Sequence, residues 1–91
     1  MKLADLIGKN VFVRTVTHHY TGRLTGFEQG GFLELDDAAW IADDGRFADA
    51  LAKGGLNEVE PYPGACLVSL GAVLDVSEWL HDLPRVQKCQ K

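Results

Sequence analysis

The residues that could do chemistry fall into a few small groups. His18 and His19 are adjacent, Asp36–Asp37 and Asp43–Asp44 form two acidic pairs, and Cys66, Cys89, Ser69 and Ser77 are the candidate nucleophiles. Neighbours along a strand point to opposite faces, so His18 and His19 cannot easily share one metal ion. A ring gathering one histidine per subunit about its axis is the sharper alternative, but zinc-ligand spacing is lacking and a hydrogen-bonded turn accounts for the pair. The aspartates suggest a carboxylate dyad or a magnesium site, which needs groups held at a defined separation with displaced pKa values. Asp43 and Asp44 are fully explained as helix caps, and Asp36 as a turn residue. Neither serine sits in a nucleophile elbow, and neither cysteine has a histidine at a suggestive spacing. Gly30-Gly31 lacks the Lys-Ser/Thr ending of a phosphate loop, and Gly54-Gly55 follows a helix instead of opening one. No catalytic residue, no metal site and no cofactor is therefore expected.

The elements that must carry these residues belong to one domain. The chain has 91 residues, 46% of them hydrophobic and 24% charged, enough apolar content for a core. No apolar run reaches the roughly 20 residues of a membrane helix. The N-terminus lacks a signal peptide's apolar core, so a cytoplasmic location is expected, with both cysteines reduced. The net charge of −4 is unevenly spread: residues 1–27 hold four bases and one acid, while residues 28–60 hold nine acids and two bases. That balance argues against a general nucleic-acid coat and leaves a local basic face on the first third, with Arg85, Lys88 and Lys91 as a short basic tail.

The hydrophobic spacing predicts a short helix over 2–8, with Leu3, Leu6 and Ile7 on one face. Strands are expected over 10–17, 20–28 and 32–42, with Gly22 as a bend or bulge and Gly30-Gly31 as a turn. A helix opened by Asp43 and Asp44 should carry Phe47, Ala48, Ala50 and Leu51 inward and stop at Gly54. Residues 56–64 read as a loop, and 66–70 and 73–76 as two short apolar strands around Gly71. Ser77 could cap a last turn holding Trp79 and Leu80. The domain runs over 1–83, and 84–91 reads as a frayed polar tail. Short strands with a glycine bend suit a mostly β, strongly bent five-stranded barrel with an N-terminal helix and a helical insertion at 43–64.

The run Leu6-Ile7-Gly8-Lys9, Val11, Val13, Tyr20-Thr21-Gly22, Leu24, Gly26-Phe27-Glu28-Gln29, Leu33, Leu35, Asp36-Asp37-Ala38 and Ile41 resembles the first motif of Sm and LSm proteins. A fainter second motif lies at 68–74, around Gly71. The chain is similar to divergent Sm-like proteins of phage and prophage type. The resemblance implies an SH3-like barrel that closes into a homo-oligomeric ring, with the fourth strand of one copy pairing with the fifth of the next. The interface would then involve Cys66, Val68, Leu70, Val73, Leu74, Val76 and Trp79. It also implies RNA as a partner, but the family's base-reading asparagine falls on Phe32, and Leu70 and Ala72 stand where the second motif carries a base and an amide or acid. The nucleic-acid candidates are Phe32, His18, His19, Arg14 and Arg23; the alternative is a structural or protein-interaction ring. Burial tendencies favour a core or oligomer contact for Phe32, and Trp40 and Trp79 read as core or interface anchors.

Overall fold

Leu3 to Leu6 form a single 3-10 turn, shorter than the expected helix, with the Lys2 amide donating to Asp5 Oδ2 (2.9 Å). Three residues per turn place Leu3 and Leu6 one above the other, so both pack inward, while Ile7 rotates out to solvent. The computed structural model describes residues 1–28 and 30–89; the motif's Gln29 and the tail's Lys91 lie outside the described residues.

Strand β1 (Asn10–Thr15) pairs with β2 (His19–Glu28), and β2 with the long β3 (Phe32–Asp43). Two shorter strands pair with β3: β4 (Glu58–Pro61) against its second half and β5 (Cys66–Ser69) against its first. Tyr62 N donates to Ala38 O (2.8 Å), continuing the ladder between them. The two are thus halves of one interrupted strand. Six segments thereby build the expected five-stranded barrel, and β4 falls where a loop was expected. A 3-10 turn (Leu70–Ala72) leads into β6 (Val73–Glu78), which pairs with β1. Ser77 lies within β6 and caps no turn.

Two features bend this sheet. At Gly22 the register between β2 and β3 shifts, and a Cβ there would stand 3.0 Å from Leu35 Cβ, a tight contact that glycine avoids. At Asp37, φ is 50°, in the left-handed region. The extra residue swaps the faces of β3: Leu33, Leu35 and Ala38 join one apolar cluster, Ala39 and Ile41 another.

The first cluster is the barrel interior, built from Leu6, Val11, Val13, Leu24, Leu33, Leu35, Ala38 and Val68. The second lies on the opposite face of β1, where Phe12, Ala39, Ile41 and Val59 are covered by Ala50, Leu56 and Trp79. Ala50 comes from helix α1 (Phe47–Lys53), Trp79 from the segment after β6. The insertion and the C-terminal segment therefore build a second core outside the barrel. This is why Phe12 is fully buried although it points away from Val11 and Val13.

Three local expectations are corrected. Arg46 occupies the N-cap of α1 without a side-chain bond, because both aspartates are engaged earlier: Asp43 Oδ1 accepts from the Gly45 amide (2.8 Å), and Asp44 meets His19 Nδ1 (3.1 Å). Trp79 is 3% exposed, stacked on Phe12 with its Nε1 donating to Asp82 O, so its side chain is taken up by its own core. The tail is docked through Lys88: Arg85 donates to Ala38 O and Tyr62 O (both 2.8 Å), and Lys88 exchanges backbone bonds with Val59.

Candidate functional site

The residues singled out for nucleic acid do not form one site. Arg14 is clasped by Asp75 through Nε (2.9 and 3.0 Å) and Nη2, and lies 4.6 Å over the Phe47 ring. Arg23 is split between Asp36 (2.8 Å) and Asp37 (3.0 Å). The hydrogen bond raises the Arg14 pKa and holds the Asp75 carboxyl below its ordinary range. Both cations are thus neutralised within the protomer. His19 turns outward, edge-on to Phe12 and bonded to Asp44, while His18 turns the other way toward Tyr20 and Trp40.

Phe32 stands at the start of β3, 36% exposed, beside the turn that joins β5 to β6. Leu70 N donates to Gly31 O (2.8 Å), so the two turns that carry the motif's binding positions are tied together. The side chains presented there by Phe32, Leu70 and Ala72 are apolar and offer no donor to a base.

The borders of the sheet are the second site. Among the described residues, β5 pairs with β3 alone and β6 with β1 alone, so each leaves one edge of N–H and C=O groups unused. Leu67 on β5 and Leu74 on β6 are exposed by 51% and 62%. Cys66, Val73 and Val76 pack partly against the interior, and Val68 is buried in it. Val68 therefore offers a neighbour only its backbone, because its side chain faces the core. The outer edge of β4, in contrast, is bridged by Lys88.

A third feature was missed in the sequence. His18, Tyr20, Trp40, Glu60, Pro61, Tyr62 and Pro63 line an open groove of about 580 Å³ at one end of the barrel. His18 Nε2 meets the Tyr20 hydroxyl (2.7 Å), and His18 Nδ1 meets Thr17 Oγ1 (2.8 Å). Burial, then His19, lowers the His18 pKa. Burial pushes the Tyr62 phenol up to about 12, with Cys66 and Tyr20 adding to it, and raises Tyr20 and Cys66 as well. The available signal was the i, i+2 spacing of His18 and Tyr20, which puts both on one face. Trp40 and Tyr62 join them only through pairing across β3.

A strongly bent antiparallel sheet with two bare borders around one apolar interior defines a small barrel of the Sm type. No family model matches the chain, and no curated protein matches it. Solved structures do. A heptameric archaeal Sm protein is 31% identical with a TM-score of 0.58, the match covering 84% of this chain and 93% of that one. The P. aerophilum SmAP1 heptamer is likewise 31% identical, TM-score 0.58, over 84% of this chain and 85% of that one. The chain belongs to the Sm protein family. A Pyrococcus abyssii Sm protein in complex with a uridine heptamer shares the fold at 22% identity, TM-score 0.60, over 86% of this chain and 99% of that one. Among the described residues, no helix is long and apolar enough to cross a membrane.

Proposed function

We propose that the chain assembles into a closed homo-oligomeric ring that serves as a binding platform and performs no reaction of its own. The observation that carries this reading is the pair of bare borders on β5 and β6, each with an exposed leucine beside it. An unpaired apolar edge is a hazard until another chain covers it, and a head-to-tail ring covers every one. The similarity to heptameric Sm proteins supports the same arrangement. Light scattering on the purified protein tests it: a multiple of the 10.0 kDa chain mass is expected, and a monomer overturns it.

Within that ring, RNA binding would rest on Phe32, whose ring can stack on a base without reading its edge. The joined turns at Gly31 and Leu70 favour this position, and the uridine-bound neighbour supports RNA as the ligand class. The base pocket is degenerate, since Phe32, Leu70 and Ala72 replace the groups that read uridine in the family. The rival reading is a protein-interaction ring, favoured by the ion pairs that consume Arg14 and Arg23. A gel shift of labelled oligo-uridine and oligo-adenine separates the two; binding that weakens with salt supports RNA, and none at low salt removes it.

A further inference from the structure

We propose that the aromatic groove at the end of the barrel binds a cationic side chain, a lysine ammonium or arginine guanidinium, presented by a partner peptide. The inference stands on the single protomer and is independent of ring assembly.

The groove has the composition such a ligand needs. His18 lies 4.9 Å from Tyr20 and 5.2 Å from Trp40, ring centre to ring centre, and Tyr20 lies 6.3 Å from Tyr62. All four rings are half-buried and line an open space. A cation within about 6 Å of such rings is attracted by their electron-rich faces, with tryptophan the strongest.

Charge decides between a cation and a nucleobase. Among the described residues Glu60 is the carboxylate lining the groove, and neither lysine nor arginine lines it. Glu60 has no ion-pair partner among the described residues. His18 is bonded at both ring nitrogens, and its lowered pKa keeps it neutral at physiological pH. The raised phenol pKa values keep Tyr20 and Tyr62 uncharged as well. Glu60 is thus the charged side chain of the groove's lining among the described residues, within a stretch of nine acids and two bases over residues 28–60, and Arg85 beside it is engaged by the Tyr62 and Ala38 carbonyls. A base could stack on these rings, but its phosphate would meet Glu60, with Arg14 and Arg23 already paired and Arg85 held on the Ala38 and Tyr62 carbonyls.

The flanking prolines bear on how a peptide would lie. Pro61 and Pro63 flank it and lack N–H groups, so strand addition is blocked there. A chain lying across it would be held by its side chain instead of by a ladder.

The test is a titration of the full-length protein, followed by the Trp40 indole resonance and by calorimetry. The probes are short peptides Ala-Lys-Ala and Ala-Arg-Ala with blocked ends, their acetyl-lysine counterpart, tetramethylammonium chloride and uridine monophosphate. Saturable binding of the lysine or arginine peptide, absent for acetyl-lysine, is expected. Trp40→Ala and Glu60→Gln should each weaken it about tenfold. Glu60 is exposed, so Glu60→Gln keeps the fold if Trp40→Ala does not, and Trp40→Phe should weaken binding less than Trp40→Ala. No saturable shift with either peptide overturns the proposal. Binding of uridine monophosphate instead, or of tetramethylammonium alone, overturns it too. Unchanged light scattering in Glu60→Gln separates this result from any loss of the ring.

Discussion

Phe12 and Trp79 stack 5.4 Å apart at 22°, joining the first strand to the segment that follows the last one. The contact lies on the outer face of β1, away from the barrel interior, and it locks α1 and the C-terminal segment into a second core. Truncating a fully buried aromatic typically costs about 3–5 kcal/mol. Phe12→Ala and Trp79→Ala should each lower unfolding stability by that order in urea denaturation. The double variant should lose less than the sum, because the two side chains share one contact. At concentrations where the protein is folded, Trp79→Phe should leave the assembly's mass unchanged. A smaller mass would return Trp79 to the interface.

Leu74→Glu tests the border directly. The side chain is 62% exposed in the protomer, so its loss should change protomer stability by no more than about 0.5 kcal/mol. The assembly should dissociate, seen as a fall in mass by light scattering with an unchanged β spectrum. An intact assembly carrying Leu74→Glu would place the contact elsewhere.

Phe32→Ala reads out the RNA hypothesis. Stacking is worth about 1–3 kcal/mol per base, so oligonucleotide affinity should fall roughly 5- to 150-fold with an unaltered salt slope. A change of slope instead would mean that phosphate contacts were lost.

Acid stability should reflect Asp75. Its hydrogen bond from Arg14 depresses the folded-state pKa below the unfolded value. The stabilisation is therefore present above the ordinary carboxylate pKa of 3.8 and is lost as pH falls through the lower folded value. Asp75→Asn should flatten the melting-temperature profile below that pH.

His18 works at a higher pH and with the same slope. Burial lowers its folded pKa below 6.5, so the unfolded chain takes up the proton first. Stability should decline as pH drops from about 6.5 and level off below the folded value. His18→Gln should remove that step from thermal melts, and a persisting step would show that His18 is not its source.

Much of the barrel was readable because alternation and glycine carry local meaning. Val11 and Val13 point inward at every second residue, and Gly22 marks the bend. The face swap at Asp37 was hidden, since an aspartate in the left-handed region looks like any turn acid in sequence. Phe12 showed only as a strand residue. Its burial depends on α1 and Trp79, which lie some forty and seventy residues away and carry no local sign of the contact. Arg14 and Arg23 read as free cations because their acids, Asp75 and Asp36–Asp37, are brought opposite by strand pairing alone. The aromatic groove escaped notice for the same reason: Trp40 meets Tyr20 by register, and Tyr62 by the ladder beyond β4.

The bridge between Val59 and Lys88 has a mechanical result. It works as an end-stop. An incoming strand that slid along the border past Cys66 would run into Pro63 and Pro61, then into the protomer's own C-terminal segment. Staggers displaced toward that end are thereby closed to it, whichever copy supplies the strand.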